Sequence, residues 1–288
     1  MAVNNTFLYP EEWSIKLQER LDYPTCWKEI CHVQYTNSKV FYNPYRSTTP
    51  ILQSHTRGAA YTHQTQAITT DSIDIEQSQI IPMFIDRADE AQTSYASQME
   101  IADLQGQLIN EYYETDMLAN HAMWTNFDNT QIGGGAGDIT VDASNIDDII
   151  RAVKKEIGEA NGKNLMKRHG AFIVWRYADL EYLERFAQAN GFQLADKALK
   201  DGVGDDGYYF MGMYHYVSNS HTSGHLFGGI RNLFHLGILK STNSQIVIDN
   251  EPATGEGPLS GTAVVSRMDW EFHAWHNHKD VLYDIEVS

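Results

Sequence analysis

The side chains best suited to chemistry here are imidazoles and thiols. Of twelve histidines, three (His273, His276 and His278) crowd the C-terminal segment. On a strand, His276 and His278 would share one face, a spacing at which imidazoles can hold zinc or copper. No cysteine or carboxylate of the segment obviously completes the shell, so the plain alternative is polar surface imidazoles beside Trp270 and Trp275. His215, His221, His225 and His235 form a looser group among Ser218, Ser220 and Ser223. No Gly-x-Ser-x-Gly elbow presents one of those serines as a nucleophile. Cys26, Cys31 and His32 lack both the Cys-x-x-Cys spacing and a second thiol pair, so a redox or metal centre is not expected there. Gly133-Gly134-Gly135-Ala136-Gly137 lacks the Gly-Lys-Ser/Thr ending of a phosphate loop and reads as a hinge. Nothing singles out a catalytic pair among the 38 carboxylates. The expectation is therefore no catalytic residue and no cofactor, with His273, His276 and His278 the metal candidates. A metal-dependent enzyme built on those three histidines is the alternative.

The elements that would carry these residues follow from periodicity. Residues 1–35 mix aromatic and polar side chains and read as an arm with a short helix. Between 36 and 87, Thr, Ser, Gln, His and Asp dominate, and Ile73, Ile75, Ile81, Met83 and Ile85 alternate with their neighbours, the strand pattern. Ser54–Ala67 has few large apolar residues, so the simplest shape is two strands joined by an exposed tip. Such a hairpin is marginal in isolation. Ile101, Leu104, Leu108, Tyr112, Thr115, Ala119 and Ala122 then step by three and four without a proline. This predicts a helix of about 30–38 residues, about 45–57 Å long, within Ala88–Asn126.

A compact α/β unit should follow. Ser144 is a candidate N-cap, and Ile146, Ile149, Ile150, Val153 and Ile157 form an apolar stripe. Ala171–Trp175 reads as a buried strand, Ala178–Asn190 as a helix, and Tyr208–Val217 as one aromatic-rich strand. Further on, a short helix is expected around Ile230–Leu239, with strands at Gln245–Ile248, Thr262–Val265, Trp270–His276 and Val281–Ile285.

Composition bounds the function. The chain has 288 residues, 21 Lys+Arg against 38 Asp+Glu, and a net charge of −17. That length suits one large or two medium domains. So acidic a surface has little excess cation to displace the counterions of a nucleic acid, which disfavours DNA or RNA binding. No signal peptide is expected at the N-terminus, no segment approaches the 18 apolar residues of a membrane span, and two cysteines do not make a disulfide framework.

The order of elements is more telling than any motif: arm, under-packed hairpin, very long helix, hinge, α/β unit, then strands and loops. In this order, and in the strand ending Val217-Ser218-Asn219, the chain resembles the major capsid proteins of tailed bacteriophages, with their α+β Hong Kong 97-type fold. The resemblance covers nearly the whole chain. It implies an N-terminal arm (1–39), an extended loop (40–87), a spine helix with a peripheral domain (88–218), an axial domain (219–261) and C-terminal strands returning to the peripheral domain (262–288). It implies a non-catalytic subunit that self-assembles as hexamers and pentamers into an icosahedral shell around double-stranded DNA. The shell would be assembled in the host cytoplasm, with portal, scaffolding and decoration proteins as candidate partners. An encapsulin-type compartment shell shares the fold and is a second alternative.

Some members lock their shells with a Lys–Asn isopeptide bond from the extended loop. Here no lysine occurs between Lys39 and Lys154, so a non-covalent shell is expected. With only about 35 residues ahead of the hairpin, a scaffolding segment would be absent or supplied as a separate protein. Candidate subunit contacts are Arg57 and Tyr61 on the loop, Arg87 beside the spine, and Arg231 near the capsomer centre.

Overall fold

The computed structural model describes residues 25–86, 97–132, 138–189, 208–241, 244–251 and 261–288. The chain divides into a larger unit of residues 23–80, 108–244 and 267–288 and a smaller one of residues 1–22, 81–107 and 245–266. The helices are α1 (Trp27–Ile30), α2 (Ser97–Ala119), α3 (Ile146–Glu159), α4 (Lys163–His169) and α5 (Tyr177–Ala189). The strands are β1 (Cys31–Thr36), β2 (Val40–Arg46), β3 (Ile68–Asp74), β4 (Gln77–Asp86), β5 (Thr125–Asn126), β6 (Ala171–Arg176) and β7 (Tyr208–Phe210). They continue with β8 (Met213–Ser218), β9 (His225–Ile230), β10 (Phe234–Leu239), β11 (Ser244–Glu251), β12 (Gly261–Ala274) and β13 (Leu282–Glu286).

The larger unit is organised on a six-stranded mixed sheet in the order β5-β13-β9-β6-β8-β7. Residues Ala171 to Trp175 of β6 are completely buried, as a continuous apolar run requires when both faces of a strand are covered. The stripe Ile146, Ile149, Ile150, Val153 and Ile157 of α3 is likewise fully buried. Trp124 inserts between Phe227 and Phe234, with ring centroids 4.8 and 5.1 Å away. β9 is an inner strand of this sheet, pairing β13 on one side and β6 on the other. The chain thus returns to the same sheet after residue 219.

Several local expectations are corrected. The span Ile230–Leu239 is not helical: Asn232 turns the chain with φ 59° and β10 follows. Phe234, Leu236 and Ile238 alternate at a period of two, which buries one row of a strand. Tyr208–Val217 is a hairpin rather than one strand. Phe210 pairs with Met213, and Met211 and Gly212, at φ 48° and 78°, form the two-residue loop with positive φ at both positions that matches strand twist. Ser144 does not cap α3. Its amide and hydroxyl both bond Asp142 Oδ1, at 2.7 and 2.6 Å, and the helix starts two residues later. The described helix α2 has 23 residues, about 35 Å, and ends at Ala119 rather than near Asn126. There the Asn120 side chain turns back onto Asp116 O at 2.8 Å, and a 3-10 turn, His121–Met123, leads into β5. Residues 88–96, the glycine run 133–137 and Arg87 lie outside the described residues.

A second sheet runs β1-β10-β12-β11, with β4 also pairing β12. Strands β2 and β3 form a two-stranded antiparallel ribbon from Val40↔Asp74 to Arg46↔Ile68. In the smaller unit, Gln105 Nε2 donates to the carbonyls of Ile81 and Val264 at 3.0 and 2.9 Å, and Ser266 Oγ lies 2.6 Å from Gln105 Oε1. One almost completely buried amide thereby satisfies backbone groups of two strands from the helix.

Candidate functional site

The ribbon β2–β3 and its tip form the surface to which the sequence pointed. Ser47 N still donates to Ala67 O at 3.2 Å, but no strand ladder continues through residues 48–66; glutamine side chains replace it. Ile51 N donates to Gln64 Oε1 and Gln64 Nε2 to Thr49 O, both at 3.0 Å. Gln53 Nε2 donates to Thr62 O at 3.0 Å. These amides mimic a backbone pair and hold the two legs together without a core. At the tip Leu52 is 99% exposed and Ile51 70%. Arg57 and Tyr61 are both in this exposed stretch. Tyr61 sits edge-on between His55 and His63, with centroids 6.3 and 5.1 Å away.

The base of the ribbon is anchored. Ile73, Ile75 and Trp275 are buried against Phe41 and Leu239 in a small core of their own. Gly237 of β10 allows this approach: a Cβ there would sit 3.1 Å from the Phe41 ring. Asp71 is the polar clamp. Its Oδ2 accepts from the His276 amide at 2.9 Å, and its Oδ1 lies 3.1 Å from His273 Nε2. Partial burial pushes the Asp71 carboxyl up, but the His276 amide and the His273 imidazole outweigh it and hold the group below its ordinary value. Tyr45 stacks on His276 at 4.8 Å. A groove of about 350 Å³ between Tyr45, Arg46, Asp71, His276 and His278 lies at this base.

The three C-terminal histidines are thus dispersed. β12 ends at Ala274, so His276 and His278 lie beyond it rather than on a common strand face. His273 and the His276 backbone both serve Asp71, and His278 precedes the 3-10 turn Lys279–Val281. Their ligand atoms do not converge. Arg231 is engaged within its own unit: Nε donates to His169 O at 2.9 Å, Nη1 to Tyr216 OH at 3.2 Å, and the guanidinium covers the Tyr214 ring at 3.6 Å.

Two arrangements had no signal in the sequence. Glu114 of α2 is buried and accepts from the Cys26 and Trp27 amides at 3.1 and 2.9 Å and from Cys26 Sγ at 3.0 Å. Burial raises its carboxyl, and these donors oppose the rise. Burial and the adjacent Glu114 carboxylate push the Cys26 thiol well up, which makes it a poor nucleophile. The other arrangement is a cluster of His121, His225 and Asp284. It is the single group of three whose ligand atoms come together among the described residues, within 4.8 Å of one another. His, Asp and Glu at separations this long leave no periodic trace.

No family model matches the sequence, and no curated protein matches it at the sequence level. Solved structures do match, over essentially the whole chain. A chain of Mycobacterium phage Che8 is 16% identical with a TM-score of 0.69, covering 99% of this chain and 98% of that one. The capsid of the cyanophage P-SCSP1u gives 14% and 0.62, covering 100% and 97%. The capsid of a native GTA particle gives 10% and 0.69, covering 99% and 97%. At these identities the likeness is one of fold: the chain has the Hong Kong 97-type α+β fold.

Proposed function

We propose that this chain is the major capsid protein of a tailed bacteriophage, a non-catalytic subunit that self-assembles as hexamers and pentamers into the icosahedral shell around double-stranded DNA. The observation that carries this reading is the reach of the likeness to phage and GTA capsid chains, which covers 98% or more of this chain. The hairpin supports it. A tip that exposes Leu52 and Ile51 and is held by side-chain amides contributes little to its own subunit, and such a surface is stabilised when a neighbour covers it. Residues 40–87 would be the extended loop, 88–218 the spine helix and peripheral domain, and 219–261 the axial domain. The arm 1–39 and strands 262–288 would complete the subunit. Arg57 and Tyr61 remain contact candidates. The absence of lysine between Lys39 and Lys154 favours a non-covalent shell, and the −17 charge favours an inner wall that does not hold the packaged polymer. Portal, scaffolding and decoration proteins would be the partners, and assembly would take place in the host cytoplasm.

Negative-stain electron microscopy with light scattering tests the reading. Closed particles, or rings of five and six, are the expected result for the chain expressed with its scaffolding partner. A chain that stays monomeric or dimeric at high concentration under those conditions would overturn it. A portal and packaging motor among the co-purifying proteins, rather than a cargo enzyme with a docking tail, separates this reading from a compartment shell.

A further inference from the structure

We propose that His121, His225 and Asp284 form a binding site for one zinc-class divalent cation, which pins the C-terminal strand to the end of the long helix. The three residues come from three elements of the larger unit. His121 opens the 3-10 turn after α2, His225 is the first residue of β9, and Asp284 is the middle residue of β13. β9 and β13 are antiparallel, with Phe227 opposite Asp284 and His225 opposite Glu286, so His225 reaches Asp284 diagonally.

The geometry is that of a partly assembled coordination shell. His121 Nδ1 lies 3.3 Å from Asp284 Oδ2, and His225 Nδ1 lies 3.0 Å from the same oxygen. Around a tetrahedral zinc ion with bonds of about 2.0–2.1 Å, adjacent ligand atoms are about 3.3 Å apart. The two imidazoles stack at 4.0 Å with a 24° angle between planes, and both turn the same nitrogen toward the carboxylate. Two nitrogens and one oxygen, with a water as the fourth ligand, suit zinc better than magnesium or calcium, which prefer oxygen.

Charge points the same way. The Asp284 side chain is 2% exposed, and its ion-pair partners among the described residues are these two histidines. A buried carboxylate needs hydrogen-bond donors or a cation to offset its desolvation, and a bound cation would stand where the two imidazole contacts now converge. A cation would let both rings bind as neutral ligands. Their partial exposure, 32% and 20%, gives an ion a way in. Because the ligands lie far apart in the chain, binding would favour the folded state over the unfolded one and raise stability.

The test uses the untagged full-length protein after chelator treatment. Zinc is titrated by calorimetry, cobalt by visible absorption, and Tm is measured in both forms. The expected result is one equivalent per chain, a four-coordinate cobalt spectrum and a higher Tm. In His121→Asn and in His225→Asn, affinity should fall at least about tenfold, with folding verified by circular dichroism. The triple variant His273→Asn, His276→Asn, His278→Asn should keep the equivalent. No stoichiometric uptake by the chelated protein would overturn the proposal, leaving a hydrogen-bonded cluster. Uptake unchanged in the His121 and His225 variants would also overturn it.

Discussion

His215 should make the folded chain acid-sensitive by a predictable amount. The residue is completely buried on β8 and its ring is held in one neutral tautomer. Trp175 Nε1 donates to Nδ1 at 3.0 Å, and Nε2 lies 3.0 Å from Phe210 O, which it can only approach as a donor. A second proton would have to sit on Nδ1, facing the indole N–H. Burial therefore lowers the imidazole from 6.5 to about 4, against a small opposing effect of the Phe210 carbonyl. Unfolded chain binds the proton at higher pH than folded chain does, so the stabilisation is complete above the unfolded value of 6.5. It is lost progressively as the pH falls from there to about 4. At pH 5 the difference corresponds to about 2 kcal/mol, and below both values to about 3 kcal/mol. Urea unfolding at pH 7.5 and pH 5 measures it, with His215→Leu as the non-titrating comparison. His221 and His235, which burial lowers to about 4 and about 3, titrate in both proteins and cancel. The wild-type chain should lose about 2 kcal/mol more than the variant between the two pH values. Equal losses, or a folded-state titration of His215 near 6.5 by NMR, would refute the reasoning.

Three further outcomes are expected. Glu114→Ala leaves the Cys26 and Trp27 amides without their acceptor in a buried site, and should cost about 2–4 kcal/mol in denaturant unfolding; a cost below about 1 kcal/mol would mean water replaces the carboxylate. Gly229→Ala places a methyl 2.6 Å from the Val281 carbonyl oxygen, so β13 must shift. A loss of about 1–3 kcal/mol should appear as a lower Tm, and an unchanged Tm would show that β9 and β13 separate freely. Leu52→Ser should leave subunit stability within about 0.5 kcal/mol because the side chain touches little, yet raise the concentration needed for particle formation in light scattering. Assembly at the wild-type concentration would argue that no neighbour covers the tip.

Wherever one periodicity dominated, the sequence was sufficient. The α3 stripe of Ile146, Ile149, Ile150, Val153 and Ile157, the Ala171–Trp175 strand and the α5 helix all stand where their spacing put them, because burial of one face is a local property of the pattern. The under-packed character of Ser54–Ala67 was equally legible, since a stretch without large apolar side chains has nothing to bury. Two of the errors fall where residues at positive φ turn the chain. Met211 and Gly212 adopt positive φ and together split the expected strand Tyr208–Val217 into two, and Asn232, also at positive φ, interrupts the span expected as a helix. Long-range polar partnerships were invisible. Three histidines adjacent in sequence part company because β12 ends at Ala274, while His121, His225 and Asp284 meet because the end of α2, β9 and β13 are brought together by the sheet. Composition and periodicity determine which faces are buried. Only the tertiary structure decides which distant side chains share a site, because register and chain reversal, not local spacing, set those distances.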